Sequence, residues 1–119
     1  MKAFRLINTE DNRCAFEEGT VQETTYIKVS HFFVQTNIEE YQKHAHPAPR
    51  YQYVITLKGK LKFTVSDGSS FIIEPGILLI ANDLKGEGHT WEILEGNEWH
   101  RMYVVLPNHD SPDYFKVNE

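Results

Sequence analysis

Two histidines one residue apart, His44-Ala45-His46, open the stretch HAHPAPRYQYVITLKG, which runs to Gly59. In a strand, residues i and i+2 share a face and lie about 6.6 Å apart at ~3.3 Å per residue. Both imidazoles can then turn toward one point, the spacing a metal ion needs. Pro47 and Pro49 remove backbone donors and interrupt a ladder, so the pair is expected at a strand end, on the rim of a pocket. The chain resumes as YQYVITL, in which Gln52, Val54 and Thr56 share one face and Tyr51, Tyr53, Ile55 and Leu57 the other. Gln52 is therefore expected to look into the same space as the histidines. A third histidine, His89, follows the turn KGEG and precedes TWEIL, so that His89, Trp91 and Ile93 share a face. A metal held by neutral imidazoles and an amide oxygen keeps one or two positions open for water or substrate. The expected metal set is His44, His46, Gln52 and His89, holding one divalent transition metal (iron, manganese, nickel or zinc). A lone histidine in a β protein is by default a polar rim or packing residue, and His31 and His109 are read that way, while His100 stays open because the last strand can also face the cavity.

Two further groups sit close enough in sequence to act on a bound molecule. Arg50, two residues before Gln52, can clamp a carboxylate or enolate, and Glu87, two residues before His89, is the candidate general acid or base. The bland readings are an exposed arginine at a strand start and a solvated turn carboxylate. Asp83 is expected to anchor the loop before His89 rather than do chemistry. KGEGH lacks the spacing and Ser/Thr of a phosphate loop and reads as a turn. Trp91 is a candidate pocket wall, while Tyr53 and Trp99 are expected in the core.

The elements that would position these groups are short alternating runs, with no sustained helical periodicity. Strands are predicted near Ala3–Ile7, Arg13–Phe16, Tyr26–Thr36, Gln52–Leu57, Leu61–Ser66, Phe71–Ile73, Leu78–Ile80, Thr90–Leu94 and Arg101–Leu106. Turn signals separate many of them: Lys58-Gly59-Lys60, Asp67-Gly68, Pro75-Gly76, Lys85-Gly86-Glu87-Gly88 and Glu95-Gly96-Asn97. Asp-Gly between alternating runs is a strong hairpin signal, and many short strands argue for an antiparallel sandwich or barrel. Residues 107–119, rich in Asp, Asn and Pro, are expected to form a loosely held surface tail, or to lie across a partner subunit, after a single domain over residues 1–106.

The 119 residues suffice for one hydrophobic core. Twelve Lys and Arg against 17 Asp and Glu give a net charge of −5 with no basic stripe, which disfavours nucleic acid and anionic membranes as partners. The longest apolar runs fall far short of a membrane span, and MKAFRLINTEDN lacks the apolar stretch of a signal peptide. A cytoplasmic protein is expected. The single cysteine, Cys14, has no internal disulfide partner and is read as a packed structural residue.

The segment from His44 to His89 resembles the two motifs of the cupins, small β-barrels that bind a transition metal. Their first motif has a glycine, five residues, His-x-His, three or four residues, Glu, six residues, Gly. Here His44-Ala45-His46 is followed by five residues, Gln52, six residues and Gly59. Gly68, Pro75-Gly76 and His89 follow in the order of the second motif. The chain departs from the pattern at Ile38, which replaces the first glycine, at Gln52, which replaces Glu, and at Ile93, in the place of Asn. Pro75 and Gly76 are adjacent, and His89 lies beyond its usual distance. The resemblance implies an all-β, single-domain cupin barrel of jelly-roll type and a homodimer. It also implies a metal-dependent enzyme acting on a small oxygenated substrate. Glutamine in place of glutamate is similar to cupins that isomerise or ring-open sugar acids, which favours isomerase or lyase chemistry, with a dioxygenase nearly level. A cupin that binds or senses a small molecule without turnover is the reading from another class, and a purely structural barrel with empty histidines is a third.

Overall fold

The computed structural model describes residues 1–119. It is an all-β chain of eight strands: β1 (Lys2–Asn8), β2 (Cys14–Val21), β3 (His31–Gln35), β4 (Gln52–Thr64), β5 (Ser70–Ile73), β6 (Leu78–Asn82), β7 (Thr90–Val105) and β8 (Phe115–Val117). A single 3-10 turn, Glu40–Lys43, is the one helical element, and no helix is long and apolar enough to cross a membrane. The strands form one sheet in the order β3-β7-β4-β6-β1-β2-β8, with β5 paired to the second half of β4.

Two features differ from the expected antiparallel barrel. The pair β1–β6 is parallel, because no hairpin joins these strands and nothing forces them to run opposite. The ladder also stays open, with β3 at one end and β8 at the other. Both end strands are short, which limits the unpaired edge they present.

The two predicted turns at Lys58–Lys60 and Glu95–Asn97 lie inside long strands. β4 and β7 pair from Gln52↔Val105 to Thr64↔Thr90, with register irregularities between Thr56 and Leu61. Gly59 sits there at φ 124, and a Cβ on it would lie 2.9 Å from the Glu98 carbonyl oxygen, so glycine lets the two strands bend together. The irregularity changes the inward set of β4 from even to odd residues. Val54 before it and Leu61 and Phe63 after it join one core cluster. In that cluster Phe71 stacks on Phe4 and Phe63 with centroids 4.5 and 5.5 Å apart, and each such buried side chain contributes about 1.5–3 kcal/mol of apolar transfer.

On the opposite face, Tyr51, Tyr53, Ile80 and Leu106 form a second cluster. Here the expected loose tail is instead tied down. Asp113 is buried, accepts from Tyr51 Oη at 2.6 Å and Arg5 Nη1 at 3.1 Å, and its carbonyl accepts from the Tyr53 hydroxyl. β8 then pairs with β2. Three donors on one residue hold 107–119 to the sheet more firmly than its polar composition suggests. On β3, Phe33 stacks on Tyr103 at 5.0 Å while its neighbour Phe32 stays exposed, as alternation along a strand requires.

Candidate metal and ligand pocket

The His-x-His pair does not lie on one strand. Glu39 and Gln42 form a capping box, with the Glu39 N–H donating to Gln42 Oε1 at 2.9 Å, and this reciprocal bonding starts the 3-10 turn. His44 becomes the residue that ends the turn. Its ring is exposed and lies 3.4 Å from Glu40, one turn back, and His44 is not among the residues lining the pocket that His46 lines.

His46 is instead joined to His89. The two form an isolated antiparallel bridge, each backbone N–H donating to the other's carbonyl at 3.1 Å, and their rings lie 4.8 Å apart between centroids. Gly88 makes this approach feasible: at φ +75, a Cβ there would lie 1.9 Å from the His46 carbonyl oxygen. The KGEG turn is therefore required by the site.

Each of the two imidazoles has its Nδ1 fixed by an acceptor. His46 Nδ1 lies 2.8 Å from the His44 carbonyl oxygen, and His89 Nδ1 lies 2.6 Å from Asp83 Oδ2. A carbonyl and a carboxylate accept only, so Nδ1 carries a proton in both rings, and the neutral form of each keeps its Nε2 lone pair. Metal-ligating histidines usually have this arrangement. Burial, with His89 beside it, holds His46 below its ordinary value of 6.5, so it is neutral at pH 7 and its lone pair is free. Gln52 is buried and lines the same pocket. Its Oε1 accepts from Arg50 Nε at 3.1 Å, and an amide oxygen has a second lone pair to offer.

Behind His89, Asp83 is sealed from solvent. Its Oδ2 also accepts from the Cys14 thiol at 3.4 Å, its backbone carbonyl accepts from the Ala48 N–H at 2.9 Å, and its Oδ1 has no partner. Asp83 thus anchors the loop, as expected, and also orients His89. Cys14, Asp83 and His89 offer ligand atoms within 4.8 Å of one another, a buried group that could hold a metal ion. The 2.6 Å contact between Asp83 and His89 is shorter than the roughly 3.3 Å separating two ligands around a tetrahedral zinc with ~2.0–2.1 Å bonds. As folded, the trio is a hydrogen-bonded chain, and burial and the Asp83 charge push the Cys14 thiol up, keeping it protonated.

The pocket has a volume of about 30 Å³, space for about two waters at ~10–15 Å³ each. Trp91, the expected wall, lines it, and so does Trp99, whose Nε1 donates to Thr56 Oγ1 at 3.1 Å. Arg50 lines it too, its guanidinium 5.2 Å over the Phe33 ring. Glu87 is exposed on the turn, outside the lining. His31, His100 and His109 lie outside it as well, His100 bonded to Glu98 at 2.8 Å. Sequence reasoning missed Gln42, Arg101 and Tyr103. Arg101 is fully buried, and donates from Nε to Tyr103 Oη at 3.0 Å and from Nη2 to Gln42 Oε1 at 3.1 Å. The signal was an arginine in phase with Trp99 and Tyr103 on an alternating strand.

The fold and site together define an all-β protein with an imidazole-lined pocket over one face of β4, β6 and β7, closed by the 3-10 turn and the segment before β4. Comparison with family models, curated proteins and solved structures finds no match to this chain.

Proposed function

We propose that the chain is a small metal-dependent protein of the cupin type, whose pocket holds one divalent transition metal through His46, His89 and Gln52 and takes a small oxygenated substrate. The observation that carries this is the pair of neighbouring imidazoles, each with Nδ1 spent on an oxygen acceptor and Nε2 left free. A bound divalent ion would supply Lewis-acid polarisation of a carbonyl or hydroxyl oxygen. The chain's own residues then orient and shield: Asp83 holds His89, Arg50 holds the Gln52 amide, and Trp91 and Phe63 wall out water. Gln52 adds no negative charge, so less of the ion's charge is neutralised than with a glutamate. That favours isomerase or lyase chemistry on an enolisable compound over oxygen activation.

A second reading, a binding or sensing module without turnover, is favoured by one observation. Glu87, the acid expected beside the ligands, is exposed and outside the pocket, which leaves the chemistry without its proposed base.

Elemental analysis of untagged protein purified without chelator tests the proposal, alongside His46→Ala and Cys14→Ala. The expected result is near-stoichiometric metal in wild type and Cys14→Ala and none in His46→Ala. Loss in Cys14→Ala with retention in His46→Ala would move the metal to the Cys14, Asp83, His89 group. Zinc, nickel or manganese supports isomerase or lyase work, and iron supports a dioxygenase. If wild type is metal-free and added metal leaves its Tm unchanged, the metal reading fails.

A further inference from the structure

Arg101 is a fully buried cation without an anion. Its guanidinium donates to Tyr103 Oη, the Trp99 carbonyl, Gln35 Oε1 and Gln42 Oε1, all neutral, at 2.9–3.1 Å, and lies 4.5 Å over the Trp99 ring. Removing a charge from water without a counterion is costly even when it is hydrogen-bonded, so a positive potential is left behind the pocket wall formed by Trp99, Tyr103 and Gln42. A second cation lines the pocket itself. Arg50 spends only Nε on Gln52, and its two terminal amino groups have no protein acceptor. The Tyr103 hydroxyl accepts twice, from Arg101 Nε and from Gln42 Nε2 at 3.2 Å, so its own proton is free to be donated.

We propose that this pocket is a carboxylate site: the ligand is a small organic acid whose carboxylate bonds the Arg50 fork and the Tyr103 hydroxyl, with Arg101 behind them offsetting its charge. The planar fork of an arginine matches a carboxylate in two parallel bonds, and because the cavity of about 30 Å³ has space for only about two waters, an acid of a few carbons enters as the half-exposed Tyr41 at its edge moves aside. The proposal rests on the same pocket being the ligand site, as above, but not on its metal.

Trp91 and Trp99 are the chain's two tryptophans and both line the pocket, so intrinsic fluorescence reads occupancy directly. Chelator-treated and metal-loaded protein are each titrated with pyruvate, its neutral counterpart pyruvamide, and inorganic phosphate, in wild type and Arg50→Gln. The expected result is a saturable change with pyruvate and at least about tenfold weaker binding of pyruvamide. A loss of about tenfold for pyruvate is expected in Arg50→Gln, the size of one hydrogen bond to a charged group. Equal binding of pyruvate and pyruvamide, preference for phosphate, no response to any probe, or a folded Arg50→Gln with wild-type affinity overturns the proposal. Should Arg50→Gln fail to fold, the contrast between pyruvate and pyruvamide in wild type decides alone. A contrast that persists in protein unable to take up metal overturns only the metal reading. Metal uptake with no contrast overturns only the carboxylate site.

Discussion

Replacing Asp83 separates its two tasks, holding the loop and fixing the tautomer of His89. In Asp83→Ala the backbone bond from Ala48 survives, His89 Nδ1–H loses its acceptor, and the Cys14 thiol keeps only the Ala15 carbonyl at 3.9 Å. An orphaned buried donor costs about 1–3 kcal/mol, and a hydrogen bond to a charged group contributes about 1.5–3 kcal/mol, two descriptions of largely the same loss. Against this, the variant removes a buried carboxylate whose Oδ1 is unpartnered, which returns part of the loss. The net is roughly 1–2 kcal/mol, a fall in Tm of roughly 5–10 °C for a domain of this size. If His89 ligates a metal as proposed, metal affinity falls further than stability, by about 10–100-fold, the usual consequence of removing a ligand's orienting partner. Asp83→Asn is the sharper variant. Its amide oxygen can still accept from Nδ1–H, so Tm falls less, but its NH₂ can also donate to a bare Nδ1 and so admits the tautomer with the proton on Nε2. Long-range ¹H–¹⁵N NMR of the histidine rings reads the tautomer, and competition with a chromophoric chelator reads the affinity. The reasoning is refuted if wild-type His89 carries its proton on Nε2, or if Asp83→Ala binds metal as wild type does.

Gly88→Ala is expected to break the bridge between His46 and His89, because a Cβ would overlap the His46 carbonyl and the positive φ alone costs about 1–2 kcal/mol. The measurement is loss of metal uptake together with a Tm drop, and wild-type metal content would refute it. Alkaline stability should decline through Tyr51 and Tyr53. Burial first, then the Asp113 carboxylate, raises both above the ordinary value of 10.0. The unfolded state therefore releases these protons first, so the stabilisation is complete below about pH 10 and is lost as pH rises above it. Denaturant midpoints followed across this range should fall in wild type and fall less in Asp113→Ala, and parallel curves for the two proteins would count against the assignment.

The inward alternation of Gln52, Val54 and Thr56 was legible because a period of two needs no knowledge of partners. The placement of His89 and Trp91 on one face was legible for the same reason. His44 was misplaced because His-x-His was read as a strand, whereas Glu39-x-x-Gln42 just before it carries the start signal of a helical turn. The apparent turns around Gly59 and Gly96 were bends inside β4 and β7, since a glycine that ends a strand and one that lets two strands bend together look alike in one dimension. The anchored tail was hidden because Asp113 draws its donors from Arg5, Tyr51 and Tyr53, residues remote in sequence.

The same remoteness explains the electrostatics of the site. Asp83 and Arg101 are both fully buried and of opposite sign, yet they do not pair. Asp83 serves His89 and Cys14, while Arg101 serves Tyr103 and two glutamines. Had the two met, each would have neutralised the other and the pocket would carry little field. Kept in separate hydrogen-bond networks, they leave negative charge behind the His89 wall and positive charge behind the Tyr103 wall, in an interior where charges are weakly screened. A cation at the free nitrogens of His46 and His89 and an anion near Arg50 and Tyr103 both lower their energy in that field. That arrangement suits the two proposals together, a cation beside His46 and His89 and a carboxylate beside Arg50 and Tyr103.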